Sequence, residues 1–365
     1  MPKTNKKPDI VLLGVIFALI ALGLIILASV SASFSLRKFG DTYHLLKHQL
    51  IFGLFPGLIL GYAAYRISLE RVKKYAPALL LFSLALLVMV FLPFVGSELE
   101  GASRWIGLGP FTFQPSELLK LAFILYMASW LVSRSGKATK GFSQTFLGFL
   151  FILVIISALL IFQPDISTLG VVIFIALALY FSARTPFWHT ILTLIMGAGA
   201  LAALIKIAPY RLGRIMVFLN PDFDPFGIGY QAKQALIAVG SGGVIGLGLG
   251  MSVQKLGFLP QSVSDSIFAI FSEETGFIGA LILISLFLLF LWRGLKIIKG
   301  SSDKFYQLTA LGIIFWIVVQ SFVNIGAMIG ILPLTGIPLP FISYGGSALV
   351  IELIAMGLLL NISKT

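Results

Sequence analysis

The sequence predicts an all-α, polytopic membrane protein with about ten transmembrane helices. Of its 365 residues, 58% are hydrophobic and only 11% are charged, and the mean hydropathy is +1.03. A water-soluble domain of this size needs more polar surface, and a disordered chain contains fewer aromatic residues than the 13% found here. Uncharged apolar stretches also recur at close to the roughly 20 residues that span a bilayer.

These apolar stretches define the predicted helices in order. Seven are uncharged and of suitable length: residues 10–32, 48–65, 75–97, 141–164, 166–183, 185–205 and 275–292. An eighth helix begins near Gln114 and carries Glu117 and Lys120 close to one end. The 47 uncharged residues 305–351 contain two more helices, separated by the Pro- and Gly-rich segment 332–346. Because the total is even, both termini are expected on the same side of the membrane.

The distribution of charge orients these helices. With both termini inside, the inner segments hold 16 basic and three acidic residues, the outer segments hold ten of each, and Glu352 lies in the last helix. Membrane proteins carry an excess of basic residues on the cytoplasmic side, so we predict cytoplasmic termini. This bias accounts for the whole net charge of +12, and binding to nucleic acid is therefore not indicated.

Several kinds of chemistry are excluded by composition. The chain has no cysteine and three histidines, which rules out disulfides and thiolate chemistry and leaves little room for a histidine-built metal site. His44 and His48 are four residues apart and could bind a metal, but without a third ligand an interfacial role is favoured. The acidic and basic groups of the outer face are therefore the place to look for a reaction site.

The outer segment 208–264, between the seventh and eighth helices, is the longest predicted loop at 57 residues. Loops of this length without regular structure are usually functional. Its glycine-rich run, residues 235–250, is predicted to be partly helical or re-entrant and to pack on protein. A nucleotide-binding loop is disfavoured because no Gly-Lys-Ser/Thr follows. Residues 1–365 are expected to form a single integral membrane domain.

Asp265 lies where this loop meets the next helix, and it is the leading candidate for a catalytic group. The ordinary structural interpretation is a helix N-cap, a position that aspartate favours. Partial burial at the membrane surface would instead raise the pKa of the carboxyl group and make it a usable general base near neutral pH. Both roles are compatible with one residue.

The other polar residues of the outer face also have structural alternatives. Glu117 and Lys120 lie three residues apart on one helix face, where they either neutralise each other or shape a site. Asp165 follows a short Gln163-Pro turn, and helix capping is favoured for it. Arg104 places a cation in an outer loop. Further outer cations suit an anionic group such as a diphosphate, or else snorkel to lipid headgroups: Arg211, Arg214 and Lys255.

Six separated motifs carry a resemblance that covers nearly the whole chain. They are Arg104-Trp-Ile-Gly-Leu-Gly with Phe113-Gln-Pro-Ser-Glu-Leu-Leu-Lys120, Gln163-Pro-Asp165, Asp224-Pro-Phe-Gly-Ile-Gly-Tyr-Gln231, Gly246-Leu-Gly-Leu-Gly-Met-Ser-Val-Gln-Lys255, Asp265 with Glu273-Glu274, and Asn324-Ile-Gly with residues 332–347. In this order they resemble the shape, elongation, division and sporulation (SEDS) family. The Asp-Pro-Phe-Gly and Ser-Val-Gln-Lys stretches are more similar to its division branch, FtsW, than to its elongation branch, RodA.

The resemblance implies a peptidoglycan glycosyltransferase that polymerises lipid II, an undecaprenyl-diphosphate-linked disaccharide peptide, on the outer face of the bacterial cytoplasmic membrane. It also implies a class B penicillin-binding protein as partner, with other division proteins and membrane lipids as further contacts. Asp265 matches the essential aspartate of the family, and Gln254 and Ser343 lie in matching motifs and are expected to bind substrate or shape the site. Around Asp265 the family pattern Pro-Glu-x-His-Thr-Asp-Phe-Ile-Phe-Ala is replaced by Pro260-Gln-Ser-Val-Ser-Asp-Ser-Ile-Phe-Ala269, which alters the surroundings of the carboxylate.

In the reaction so implied, Asp265 deprotonates the 4-hydroxyl of the acceptor sugar while a lipid diphosphate leaves. The charge of that diphosphate would be offset by a divalent cation such as Mg or Mn, or by Arg104, Lys120, Arg211, Arg214 and Lys255. Lipid tails would lie in grooves between helices. The alternatives are a RodA-like elongation polymerase, a lipid II flippase or other transporter, and a noncatalytic division scaffold. A flippase is expected to line a path with polar groups at the bilayer midplane, and a scaffold does not require Asp265.

Overall fold

The computed structural model of the chain describes residues 7–92, 96–99, 102–108, 111–134, 142–183, 185–207 and 210–365. Most of these residues are helical. The helices are α1 Ile10–Phe39, α2 His44–Gln49, α3 Phe55–Arg66, α4 Leu69–Met89, α5 Pro115–Arg134, α6 Phe142–Phe162, α7 Ile166–Ser182, α8 Phe187–Ile207, α9 Tyr210–Leu219, α10 Ile228–Ser241, α11 Ile267–Gly300, α12 Lys304–Met328 and α13 Gly346–Ile362. One turn of π-helix, Leu50–Leu54, joins α2 to α3 in a continuous segment.

Seven of the helical segments described are long and apolar enough to cross a membrane. They are α1, the joined α2 and α3, α4, α5, most of α6, α11 and α12, and three shorter apolar helices lie in α7, α8 and α13. The predicted polytopic helical fold is confirmed. The total of ten crossings stays a prediction, because the apolar parts of α7, α8 and α13 found among the described residues are 17 residues or shorter.

Helices α5 and α12 form the centre of the bundle. In each, 67% of the residues of the apolar segment are buried, against 22% in α4 and α11, which face outwards. The buried polar side chains of these two helices must therefore find partners inside the protein. The large buried Trp316 of α12 is one result of this position.

The two ends of the chain meet at one end of the bundle. The Asp9 amide donates to Ser363 Oγ at 3.1 Å, and the guanidinium of Arg293, near the end of α11, pairs with the Asp9 carboxylate. Asn361 Nδ2 donates to the Ile67 carbonyl at 2.7 Å, which joins the end of α13 to the turn after α3. These contacts bring together segments that the sequence places on the inner side, and they agree with an even number of crossings.

Close packing of α3 on α13 depends on glycine. A β-carbon at Gly357 would lie 2.0 Å from the Gly61 carbonyl oxygen, and one at Gly61 would lie 2.7 Å from the Leu353 carbonyl oxygen. Small residues allow the backbones of membrane helices to approach in this way, since apolar side chains gain nothing by leaving lipid. The resulting α3–α13 pair borders the outer site described below.

The all-α prediction misses a small antiparallel sheet between α4 and α5. Its strands are β1 Gly96–Leu99, β2 Ala102–Leu108 and β3 Phe111–Phe113, in the order β1-β2-β3, with Ile106 opposite Phe113. Strands of three to seven residues carry too little apolar alternation to be distinguished from a loop in sequence. The sheet matters here because it carries Arg104 and leads directly into α5.

The predicted outer loop 208–264 contains two helices, α9 and α10. The prediction that its glycine-rich run is partly helical is confirmed, since α10 continues to Ser241. The following turn packs on α11 where that helix is interrupted at Gly276, which has φ 68° and ψ −165°. There the Phe277 amide donates to the Gly243 carbonyl at 2.9 Å, and the Leu247 amide donates to the Glu273 carbonyl at 3.0 Å. Backbone groups freed by the break are thus paired with the turn.

Candidate active site

Asp265 lies two residues before α11, and its residue surface is 8% exposed. Gln231 Nε2 of α10 lies 3.4 Å from Asp265 Oδ2, and Ser264 Oγ lies 3.5 Å from Asp265 Oδ1. Both are long hydrogen bonds, so neither neighbour holds the carboxylate tightly. The interpretation of Asp265 as the N-cap is wrong, because Ser266 occupies that position. The carboxylate is therefore placed at the helix start without serving as its cap.

The residues that depart from the family pattern build a compact turn in front of this carboxylate. The amides of Ser264 and Ser266 both donate to the Gln261 carbonyl at 3.1 Å, and Ser264 Oγ donates to Gln261 Oε1 at 2.7 Å. Gln261 takes a left-handed backbone conformation with φ 53°. Ser266 Oγ accepts a bond of 3.1 Å from Gln231 Nε2. The replacements thus supply their own local hydrogen bonds around Asp265.

The segment between α12 and α13 forms the opposite wall, and we call residues 332–345 the wall segment. Ser343 Oγ donates to the Ser264 carbonyl and accepts from the Leu339 amide at 2.8 Å, so it ties this segment to the turn. Gly336, at φ 70°, faces the aspartate: a β-carbon there would lie 3.7 Å from Asp265 Oδ2. The structure places the predicted site residue Ser343 in a supporting position beside the aspartate.

Lys255 is held in a buried ion pair. Its Nζ lies 2.6 Å from Glu274 Oε1, and the two side chains are 7% and 2% exposed. Ser29 Oγ of α1 donates to Glu274 Oε2 at 2.7 Å, so the pair links α1, α11 and the outer segment. The ammonium of Lys255 therefore stabilises the packing of these segments. The sequence predicts instead that Lys255 binds a diphosphate.

Gln254, the residue before Lys255, is also part of this attachment. Its amide donates to Glu273 Oε2 at 3.4 Å, and the amide of Val253 donates to Glu273 Oε1 at 3.1 Å. The Glu273 carboxylate further accepts from Ser252 Oγ. Gln254 is therefore positioned by its backbone, and Glu273 fastens the outer segment to α11 in the same way as the neighbouring Glu274 does.

Glu117 and Lys120 neutralise each other in the bundle centre. Lys120 Nζ lies 2.8 Å from Glu117 Oε2, with side chains 2% and 3% exposed. The ammonium also donates to Gln320 Oε1 at 3.0 Å and lies 4.9 Å from the ring centroid of Trp316. The ammonium of Lys120 thus has its partners within α5 and α12, and Gln320 Nε2 in turn donates to the Pro338 carbonyl of the wall segment at 2.9 Å.

Arg104 and Asp165 organise the turn between α6 and α7. Asp165 Oδ1 accepts from the Thr168 amide at 3.2 Å as the N-cap of α7, and its Oδ2 accepts from Ser116 Oγ at 3.0 Å. Arg104 donates to the carbonyl of Gln163 at 3.2 Å and to that of Pro164. The capping role favoured for Asp165 is what the geometry displays.

Arg214 is the predicted cation that reaches the wall segment. Its guanidinium donates to the Thr335 carbonyl at 3.1 Å, next to Gly336, and the residue is exposed. Arg211 lies on the same helix, α9, but its side chain lies outside the described residues. Arg214 therefore lies on the solvent side of the wall that faces Asp265, where an anion can approach it.

The two outer histidines contact aromatic rings. The His44 ring stacks on Phe39 with centroids 4.0 Å apart, and His48 Nδ1 lies 3.0 Å from the Tyr344 hydroxyl. Burial raises the pKa of Tyr344 to about 12, so its hydroxyl stays protonated at neutral pH beside His48 Nδ1. No group of three or more His, Cys, Asp or Glu side chains among the described residues is arranged to hold a metal ion.

An apolar groove of about 530 Å³ lies between α3, α13 and the start of α5. Its lining includes Phe52, Phe55, Phe113, Leu118 and Ile351. The Phe52 ring lies 4.7 Å from that of His48, which is bonded to Tyr344, whose amide donates to the Val263 carbonyl at 2.9 Å. The groove is thus connected to the Asp265 turn by a short series of direct contacts.

Sequence reasoning did not single out two residues at this site. Gln231 is the last residue of the Asp224–Gln231 motif. It lies 34 positions before Asp265 in the sequence, and no sequence pattern indicates that the two side chains meet. Asn324 opens another matched motif, and its side chain reaches the Asp265 backbone across 59 positions. In both cases the motif was the available signal, since apolar periodicity does not mark polar contacts between distant segments.

Comparison with known proteins agrees with this architecture. A family model described as a cell cycle protein, FtsW/RodA/SpoVE, matches residues 10–365. The chain belongs to this family. It is 39% identical to stage V sporulation protein E of Bacillus subtilis strain 168, over 99% of both chains. It is 41% identical to a probable peptidoglycan glycosyltransferase FtsW of Coxiella burnetii, over 95% of this chain and 93% of that one.

Solved structures of the family superpose on nearly the whole chain. A chain from a peptidoglycan synthase complex that coordinates polymerization and crosslinking matches with a TM-score of 0.77 at 28% identity, covering 98% of this chain and 97% of that one. The rod shape determining protein RodA of Thermus thermophilus matches with a TM-score of 0.71 at 27% identity, covering 98% and 96%. The greater resemblance to FtsW than to RodA that the motifs predict is confirmed by these identities.

Proposed function

We propose that the protein is a peptidoglycan glycosyltransferase that polymerises lipid II on the outer face of the bacterial cytoplasmic membrane. The observation that carries the proposal is a buried carboxylate, Asp265, at the outer end of a membrane bundle and connected by contacts to an apolar groove. A lipid-linked sugar needs both features, since its tail requires an apolar surface and its hydroxyl requires a base. The 41% identity to a probable peptidoglycan glycosyltransferase FtsW supports it.

The reaction is a single displacement with inversion at the donor sugar. The 4-hydroxyl oxygen of the acceptor attacks the anomeric carbon, and its proton passes to a carboxylate oxygen of Asp265. The bond from the anomeric carbon to the diphosphate oxygen breaks, and the electron pair leaves with the lipid diphosphate. Arg214, exposed beside Thr335, is the described cation best placed to offset that charge, because Lys120 and Lys255 are committed to buried ion pairs.

A divalent cation stays a prediction. The described residues contain no group of three or more ligands of the kind that holds Mg or Mn in a protein-built site. No step of the reaction is assigned to such an ion.

The partner and the cellular setting belong to the same proposal. We infer a class B penicillin-binding protein as partner, because a chain of a peptidoglycan synthase complex shares the fold with a TM-score of 0.77. Other division proteins and membrane lipids are further expected contacts, and septal synthesis is the expected setting. Cytoplasmic termini are proposed because the inner segments hold 16 basic residues. The contact between Asp9 and Ser363, near the two ends of the chain, supports termini on one side.

The test is glycan-strand formation from labelled lipid II by the purified protein, with and without its cognate penicillin-binding protein. Wild type is expected to form polymer and Asp265→Ala none, with both proteins folded. Absence of polymer from the folded wild type with its partner would contradict the proposal. Lipid II scrambling in protein-containing liposomes then distinguishes a flippase, and recruitment of division enzymes by Asp265→Ala distinguishes a scaffold.

A further inference from the structure

One face of α12 carries two buried amide side chains that both reach the wall of the site. Gln320 and Asn324 lie four residues apart and are 0% and 1% exposed. Asn324 Nδ2 donates to the Asp265 carbonyl at 2.7 Å and to the Ile337 carbonyl at 2.8 Å. Gln320 Nε2 donates to the Pro338 carbonyl at 2.9 Å. The central helix therefore holds the aspartate turn and the wall segment together.

The chemistry of Asn324 suits this bridge in a way that few side chains can match. A primary amide has two N–H groups on one nitrogen, so one side chain can satisfy two carbonyl oxygens from different segments. The opposite orientation of the amide would bring its oxygen against both carbonyl oxygens and is excluded by repulsion. Asn324 Oδ1 is buried and has no hydrogen-bond partner among the described residues, so it is the amino group that the position uses.

The bridge sets the distance between the carboxylate and the opposite wall. Asn324 fixes the backbone of Asp265 on one side and of Ile337 on the other, and Gly336, adjacent to Ile337, faces Asp265 Oδ2. A displacement of about 1 Å between reacting groups can lower a rate about 100-fold. Loss of the bridge would therefore change the reach of the carboxylate without removing the carboxylate itself.

We propose that Asn324 is a positioning residue for the reaction assigned to Asp265, acting by joining the aspartate turn to the wall segment. This inference rests on the proposed function for its kinetic consequence, whereas the bridge itself can be tested without any activity. The hydrogen bonds of Asn324 Nδ2 go to the backbone carbonyls of Asp265 and Ile337, so its effect reaches the substrate through Asp265.

The chain offers a matched control at the other end of the bundle. Asn361 of α13 is 8% exposed, and its Nδ2 also donates to two carbonyls, Ile67 at 2.7 Å and Ala64 at 3.3 Å. Asn324→Leu and Asn361→Leu each remove two hydrogen bonds that one buried side-chain amide donates to backbone carbonyls. A general loss of stability is common to both variants, and displacement of Asp265 is specific to Asn324→Leu.

The experiment measures kcat and KM for lipid II polymerisation by the complex with the cognate penicillin-binding protein, corrected for folded protein. Asn324→Leu is expected to lower kcat about 100-fold with KM within about twofold of wild type. Asn361→Leu is expected to keep kcat within about twofold at a comparable loss of thermal stability. Equal kcat values for the two variants would overturn the proposal. A rise in KM for Asn324→Leu as large as the expected fall in kcat would also overturn it. Asn324→Ser, which keeps one donor, serves if the leucine variant does not fold.

Hydrogen exchange measured by mass spectrometry tests the bridge independently of activity. Asn324→Leu is expected to speed exchange in residues 261–267 and 335–339 together, and Asn361→Leu to speed it only near residues 64–67. Unchanged exchange in the first two segments would refute the bridge even if the enzyme is active. An inactive wild type with the expected exchange pattern would refute the proposed function and leave the bridge standing, so the two failures are distinguishable.

Discussion

The buried ion pair between Lys255 and Glu274 gives the most informative prediction about the cations of the site. Lys255→Met removes one charge and leaves Glu274, whose side chain is 2% exposed, with Ser29 as its remaining described partner. Breaking a buried pair by removing one member costs about 3–5 kcal/mol, because the other charge stays desolvated. We therefore expect the free energy of unfolding to fall by that amount in Lys255→Met.

The double variant Lys255→Met with Glu274→Gln removes both charges. Replacing a whole buried pair by neutral groups of similar volume is often close to neutral in stability. We expect the double variant to recover most of the loss and to polymerise lipid II at a rate near wild type. Lys233→Met is the control, since Lys233 and Asp222 form an exposed pair with side chains 45% and 72% exposed. Lys233→Met is expected to lower the free energy of unfolding by at most about 1 kcal/mol.

The measurements are equilibrium unfolding in detergent and polymerisation per folded molecule. If Lys255 instead binds the leaving diphosphate, Lys255→Met would abolish polymerisation with little loss of stability, and the double variant would not recover activity. That pattern would refute the reasoning that assigns Lys255 to structure. It would also restore the role that the sequence alone predicts for this lysine.

Three further changes test the packing around the site. Gly357→Ala is expected to destabilise the bundle strongly, because the new β-carbon would lie 2.0 Å from the Gly61 carbonyl, whereas Gly14→Ala, with nothing within 4 Å, is expected to be neutral in thermal unfolding. Glu352→Leu removes the acceptor of the 2.9 Å bond from the Phe341 amide, and we expect a loss of about 1–3 kcal/mol that Glu352→Gln largely avoids. Gly276→Ala forces a side chain into a left-handed conformation and is expected to cost about 1–3 kcal/mol in unfolding experiments. Equal stabilities of Gly357→Ala and Gly14→Ala, or of Glu352→Leu and Glu352→Gln, would contradict these expectations. So would a Gly276→Ala variant as stable as wild type.

The apolar helices and the place of Asp265 could be predicted because both depend on local sequence. A run such as residues 10–32 has few folded alternatives in a bilayer. Asp265 was expected at the border of loop and helix, and it lies two residues before α11. The first turns of α11 carry two carboxylates that bond to the outer segment: Glu273 accepts from the Val253 amide, and Glu274 pairs with Lys255.

The partners of the polar groups could not be predicted, because they are distant in sequence. The sequence predicts Lys255 as a diphosphate ligand, whereas the structure pairs it with Glu274, 19 positions away. Glu352 had no evident partner in the sequence, and the structure supplies the Phe341 amide, on a residue with a left-handed φ of 64°. Asn324 reaches across 59 positions. Long-range pairing of this kind follows from packing, which apolar periodicity does not specify.

The measurement that tests the central claim most directly compares two Asp→Asn variants in lipid II polymerisation with the cognate penicillin-binding protein. Asp265→Asn keeps the shape of the side chain and removes its ability to take a proton. Asp222→Asn removes the same charge from an exposed position of the outer segment. We predict no glycan strands from Asp265→Asn and wild-type amounts from Asp222→Asn. Normal polymerisation by folded Asp265→Asn would contradict its role as the general base.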